Sequence, residues 1–448
     1  MFQRFLLKNM QEWQKRASRK PLIIRGARQV GKTTLIRNFG QGFESFVEIN
    51  LEKDAALGLF QVVGNAQDLL RTIEGFSGKR IIPGKTLLFI DEIQNSNIAI
   101  QMLRYFYEEC PELHVIAAGS LLEVRMKKEG WSFPVGRVEF LYLFAATYPE
   151  FLEALGETVL LEMLSQAFQK PLPLPLHEKA TDLLVQYLIV GGMPAAIQTY
   201  IETKSFLEVH RQHEILLTTL KEDFQKYATK GEVTYLKAVW DQLPYKMGQR
   251  IQYTGFGISP SQAVGHALDI LHEAMLAERI YPTIHLNPPL LKKEKAAPKI
   301  LALDVGMSLF QLKVTPLQVK DRLLRPEYEG GLWETFVAQE LMALQTTHRD
   351  PLYFWVREEK GASSELDFLI LMGDKLMPIE VKSGSHGALK SLHQFLARQG
   401  GNIAIRFYNG LPADDQMTVT LPDQKKIQYR LISLPLYLVH WTTSLVNG

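Results

Sequence analysis

The sequence has almost no cysteine, no long apolar run and no surplus of charge of either sign, and each shortage excludes a class of protein. A single cysteine, Cys110, among 448 residues can close no internal disulfide and build no cysteine-rich zinc site. A reducing compartment, the cytoplasm, is the expected location. No stretch approaches about 18 uninterrupted apolar residues, so no membrane span is predicted. The opening "MFQRFLLKNMQEWQKRASRK" lacks the continuous apolar core and small-residue cleavage site of a signal peptide. With 50 Lys and Arg against 48 Asp and Glu the net charge is +2, so any nucleic-acid surface must be a local patch.

What is present is a globular composition, 46% hydrophobic and 22% charged, on a chain long enough for two or three domains. From Pro21 to about Pro149, runs such as "PLIIRG", "SFVEINL", "KTLLFIDE" and "LHVIAAGS" alternate with helical stretches, the pattern of a parallel sheet flanked by helices. The proline-rich "QKPLPLPLHEK" marks a boundary or a surface excursion. The text after it is mostly helical, as in "EVHRQHEILLTTLKEDFQKYA", and reads as a helical or winged-helix middle. "NPPLLKKEKAAPKILALDVG" is a second boundary, whose Lys292, Lys293, Lys295 and Lys299 read as a solvated hairpin tip. Beyond Gly330 the order is helix, three strands, helix, strand. The expected domains are therefore 1–155, 156–295 and 296–448.

The most specific motif follows the first apolar strand. "GARQVGKTT" places Gly26, four residues, then Gly31, Lys32 and Thr33, so that a glycine-permitted turn points backbone N–H groups at phosphate oxygens and a helix N-terminus backs them. Gly26, Ala27, Arg28, Gln29, Val30, Gly31, Lys32, Thr33 and Thr34 are the candidate binding residues for ATP or ADP. Lys32 is to reach the outer phosphates and Thr33 to ligate Mg²⁺. Downstream, "TLLFIDE" ends a strand on Asp91, a second ligand for hydrated Mg²⁺, and Glu92, a base for the attacking water. Ser120, at the end of "HVIAAGS", is placed to contact the γ-phosphate. Arg137 is the candidate to complete the charge, within the chain or across a subunit contact of a homo-oligomer, with Arg125 as its rival.

The ordered set "IIRGARQVGKTTL", "LLFIDEIQ", "VIAAGS", "GRVEFLYLFAATYPEF", "YLIVGGMPAAI", "ALDVGMSLF", "GLWETFVAQEL", "ELDFLI" and "PIEVKSG" resembles the AAA-type ATPases of bacteria and archaea that carry a C-terminal domain of uncharacterised function. The resemblance implies ATP binding, hydrolysis and a nuclease-like C-terminal domain. The expected fold class is α/β: a P-loop parallel sheet with helices on both faces, a helical or winged-helix middle, and a restriction-endonuclease-like α/β domain at the end.

That last domain carries "MPIEVKSG", in which Glu380 and Lys382 share one face of a strand. Nucleases of the PD-(D/E)XK type use such a pair with an Asp from the preceding strand, here Asp367, and an acid from a preceding helix, here Glu334 or Glu340. Two carboxylates bind Mg²⁺, or Mn²⁺, against a scissile phosphate while the lysine steers water. DNA is the corresponding partner. The competing reading is a nucleotide-dependent switch or DNA- or protein-binding module with a catalytically silent C-terminal fold. His210 and His213 read as solvated or capping residues, and "GGMP" as a turn between helices.

Overall fold

The computed structural model describes residues 2–445 apart from 62–64, 121, 171, 284–288, 321–325, 350, 360–361, 373–374, 385–388 and 423. The apolar runs of the first third pair as parallel strands β1 (Leu22–Arg25), β2 (Ser45–Asn50), β3 (Thr86–Asp91), β4 (His114–Ala118) and β5 (Glu139–Tyr142), in the order β2-β3-β4-β1-β5. Leu22, Ile24, Leu87, Phe89, Ile116 and Ala118 face one core. Ile23, Leu88, Ile90, Val115 and Ala117 face the other. Burial on both faces is why these strands read as unbroken apolar runs and not as an alternation. Parallel pairing also gathers every strand's carboxyl end, and the loops after β1, β3 and β4, on one edge.

The middle is helical, with Leu174–Val190, Pro194–Thr203, Phe206–Tyr227, Lys230–Gln242 and Ser261–Glu273 in succession. The proline run is the start of the first of these: Pro173 is its N-cap, a position where a missing N–H costs nothing. No single helix is long and apolar enough to cross a membrane. One pair bent by 119°, Leu174–Val190 with Pro194–Thr203, passes on length and composition, but Leu184, Tyr187, Val190, Ala196 and Ile197 of that pair are buried in the protein core. A wing follows, β6 (Ala277–Pro282) antiparallel to β7 (Lys299–Ala302). The expected boundary at 295 falls between these two paired strands, and β7 also bridges Met247 and Arg250 of the helical segment. Lys299 is accordingly not a solvated tip residue: it is 3% exposed, whereas Lys292 is half-exposed and pairs with Glu294.

The C-terminal part follows the expected order. Helix Pro326–Ala343 precedes an antiparallel meander of β8 (Tyr353–Glu359), β9 (Ala362–Met372) and β10 (Lys375–Val381), then helix Lys390–Gln399 and β11 (Ile403–Tyr408), parallel to β10. A further hairpin, β12 (Ala413–Thr420) and β13 (Lys426–Pro435), was not expected; β13 pairs with β11. With the wing at its edge this sheet has eight strands in the order β12-β13-β11-β10-β9-β8-β6-β7. It docks on the first sheet, where the Tyr142 N–H of β5 donates to the Thr346 carbonyl at 2.8 Å.

Candidate nucleotide site and a carboxylate cluster

Between β1 and helix Lys32–Gly40 the loop takes two left-handed residues, Gln29 (φ 66°) and Gly31 (φ 96°), which turn its amides inward. Lys32 is buried, and its ammonium donates to the Gly26 and Ala27 carbonyls, each at 2.8 Å. Burial pulls its pKa down to about 8, against the opposing pull of Glu92 and Asp91. The ammonium thus closes the loop on itself and has somewhere better to go when phosphates arrive.

Strand order sets the rest. Because β4 lies between β1 and β3, the tips of all three surround the loop. Thr33 Oγ1 donates to Asp91 Oδ2 at 3.0 Å, joining the two predicted Mg²⁺ ligands. Burial raises the Asp91 carboxyl to about 6, partly countered by that hydrogen bond. Glu92 sits in a left-handed conformation, φ 53°, a strained backbone for a non-glycine residue, and its Oε2 accepts from Gln94 Nε2. Ser120 is buried, and among the described residues its hydroxyl has no partner.

The two arginines are separated by the same topology. Glu139 is in register with Leu22, so Arg137, just before β5, lies at the start of β1 and at the opposite edge from the loop that follows Arg25. Its guanidinium is 42% exposed and pairs with Glu108 at 2.8 Å. Completion of the site by Arg137 within the chain is therefore excluded. Arg125 is on the correct edge, on helix Leu122–Glu129, donating to Asn95 Oδ1 at 2.6 Å. The Arg28 side chain also turns away from the loop, to Asp223 of the middle domain at 2.7 Å.

Three contributions were not visible in the sequence. Arg4 is buried and donates to the Val30 carbonyl of the loop at 2.8 Å, to the Phe144 carbonyl at 2.8 Å and to Glu150 Oε1 at 3.0 Å. Gln94 holds Glu92 and leaves so little room that a Cβ on Gly119 would lie 2.1 Å from its Oε1. The third is "GGMP", whose Gly192 carbonyl accepts from the Ala146 N–H at 2.7 Å and which sets Pro194 against Gly31. Pro194, Phe2, Arg4, Leu7, Thr34 and Asn38 line a cleft of about 580 Å³ beside the loop, a space for the rest of a nucleotide. No signal local to any of these residues marks them, because each acts through a partner distant in the chain.

Residues 18–152 match the AAA domain family. The first third of the chain is thus a P-loop domain of the AAA ATPase type. Residues 181–318 and 329–420 match two families described as domains of unknown function (DUF8612 and DUF4143). Among solved structures, the chain resembles a Walker-type ATPase of Pyrococcus abyssi at 14% identity, over 70% of this chain and 96% of that one, with a TM-score of 0.43. It also resembles the Aeropyrum pernix ORC2 protein in its ADPNP–ADP complexes, at 12% identity over 71% and 93% of the two chains, TM-score 0.34. A comparison with curated proteins found no match.

In the C-terminal part, Asp367 on β9 and Glu380 on β10 stand on adjacent strands, as Ile379 pairs with Phe368. The Asp367 carboxylate accepts from the Val381 N–H at 2.7 Å, and Lys382 pairs with Glu380. Glu334 joins them from the helix; Glu340 does not, being buried elsewhere, where it accepts from the Tyr148 N–H at 2.7 Å. The unexpected member is Lys299 from the wing. Its ammonium lies 2.8 Å from Glu334, 2.7 Å from Glu365 and 3.8 Å from Asp367. Burial, then the neighbouring Asp367 charge, raises the Glu380 carboxyl to about 8. Burial likewise raises Glu334 to about 7, with Lys299 opposing. Among the described residues no group of three or more His, Cys, Asp or Glu side chains is arranged to hold a metal ion. With Lys299 in place the carboxylates are gathered about an ammonium and do not fit a divalent cation. His213 is buried, not solvated, and caps the last carbonyl of helix Leu174–Val190, that of Val190, at 3.0 Å.

Proposed function

We propose that the protein is an Mg²⁺-dependent ATP-hydrolysing switch whose nucleotide state sets the affinity of its C-terminal domain for a partner, with DNA the first candidate. The observation that carries this reading is the joined set of Lys32, Thr33, Asp91 and Glu92 around one loop. Phosphates would draw Lys32 from the Gly26 and Ala27 carbonyls, and Thr33 and Asp91 would hold Mg²⁺, which neutralises developing charge on the phosphates. Glu92, aimed by Gln94, takes the proton of the attacking water, and the Ser120 hydroxyl fills its missing bond on the γ-phosphate. Arg137, exposed at the far edge, is proposed to serve the site of a second copy. Nucleotide state has short routes outward, from Arg28 to Asp223 and from Gly31 to Pro194.

The second reading, an active nuclease, is favoured by the meeting of Asp367, Glu380, Lys382 and Glu334; Lys299 argues against it. ATP hydrolysis, DNA affinity with ATP against ADP, and DNA cleavage with Mg²⁺ and Mn²⁺, measured on one preparation, separate them. A switch hydrolyses ATP, binds DNA differently in the two nucleotide states and cuts nothing. Nucleotide-independent, Mn²⁺-dependent cleavage returns the nuclease reading.

A further inference from the structure

Lys299 belongs to one domain and its partners to another. It enters from β7 of the wing, whose backbone is tied to the helical middle through Met247 and Arg250, and reaches Glu334, Glu365 and Asp367 of the C-terminal domain. Two aromatic faces, Phe354 and Phe368, lie 5.5 and 5.9 Å from the ammonium, so it is held by carboxylates and ring faces together. A lysine this deeply buried is found only where charge awaits it. The carboxylates are equally committed, with one exception: Glu380 is 3% exposed, and among the described residues its Oε2 has no hydrogen-bond partner. A hard cation between Glu334, Asp367 and Glu380 would satisfy that oxygen.

We propose that Lys299 is an internal plug: its ammonium occupies the cation position of a latent oxygen-ligand site for a divalent metal, formed by Glu334, Asp367 and Glu380. The plug is delivered by the wing, so the site is closed while the middle domain is docked and becomes a metal site when the lysine is withdrawn. This deepens the reading of the C-terminal domain as catalytically silent, and rests on it, by naming what silences it. A buried ammonium removed without replacement leaves several carboxylates facing one another, an arrangement that demands a cation.

The test uses the full chain carrying Lys32→Ala and no nucleotide, so that the phosphate loop contributes no metal site, with Mn²⁺ titrated and its free concentration read by electron paramagnetic resonance. The chain with Lys299 intact is expected to bind no Mn²⁺ that depends on Asp367. Lys299→Met is expected to gain one Mn²⁺ per chain, and a further Asp367→Asn to remove it; Lys299→Gln repeats the test with a polar side chain, and thermal unfolding with and without Mn²⁺ reads the same site in a weakened variant. Asp367-dependent Mn²⁺ binding with Lys299 intact overturns the proposal. So do folded Lys299 variants that gain no metal, and variants that stay unfolded in millimolar Mn²⁺, since the missing charge would then have been restored without effect. Failure of the silent-domain reading looks different: the intact chain would cut DNA.

Discussion

Replacing Arg4 by alanine removes three hydrogen bonds from a guanidinium that is 7% exposed and ties an N-terminal residue to the phosphate loop. Glu150, its buried partner, would lose its counter-charge, and breaking a buried pair from one side costs roughly 3–5 kcal/mol. Glu150 keeps the Phe5 N–H at 2.6 Å and the Thr147 N–H at 2.9 Å, so the low end, about 3 kcal/mol, is expected. The second effect is local to the loop, because the Val30 carbonyl loses the bond that fixes the turn before Gly31. One charge-assisted hydrogen bond is worth about 1.5 kcal/mol, and ATP affinity should fall about tenfold. Turnover at saturating ATP should hardly change, since Glu92 and Gln94 stay where they are. The assay is a urea midpoint for stability and fluorescent-nucleotide titration for affinity, run on Arg4→Ala, Glu150→Gln and the double variant. If Arg4 acts through Glu150, the double variant is less destabilised than the two single effects summed. An Arg4→Ala chain with the wild-type midpoint and wild-type affinity would show that the loop does not depend on this anchor.

Glu92→Gln should bind ATP as tightly as the wild type but hydrolyse it about 10²-fold more slowly, by the usual worth of a general base; near-normal turnover in steady-state kinetics would move the base elsewhere. Asp304 gives a pH test away from the nucleotide. It is 1% exposed, accepts from the Gly192 N–H at 2.6 Å and the Met307 N–H at 2.9 Å, and burial lifts its carboxyl from 3.8 to about 6. A raised carboxyl makes the native state hold a proton that the unfolded chain releases, so stability falls as pH rises from about 4 to about 6 and stays low above it. At about 1.4 kcal/mol per pH unit the loss is about 3 kcal/mol, and it should be absent from Asp304→Asn; parallel pH profiles of the two unfolding midpoints would refute the shift.

The phosphate loop could be read from the sequence because everything it needs is local: an apolar strand, glycines at fixed spacing and a helix start within a dozen or so residues. The Asp91–Glu92 tip was legible for a related reason, since two acids closing a strand buried on both faces are costly unless a cation or a reacting water meets them there. Placement across domains was not legible. Lys299 reads as a tip lysine because its neighbours in sequence are lysines and prolines, while its real neighbours are Glu334, Glu365 and Asp367. Glu334 and Glu340 both offer an acid from one helix, and only the docking of that helix on Tyr148 decides which one faces the cluster. Arg125 and Arg137 are likewise separable only through the register of β5 on β1.

The central claim, that this loop binds and hydrolyses ATP, is tested most directly by ATP turnover of the full chain with Mg²⁺, wild type against Lys32→Ala. Lys32 bridges two loop carbonyls and is the group the outer phosphates would claim. The account predicts measurable hydrolysis by the wild type and its loss in a Lys32→Ala chain that keeps the wild-type unfolding midpoint to within a few degrees. Equal hydrolysis by the two folded proteins would contradict it.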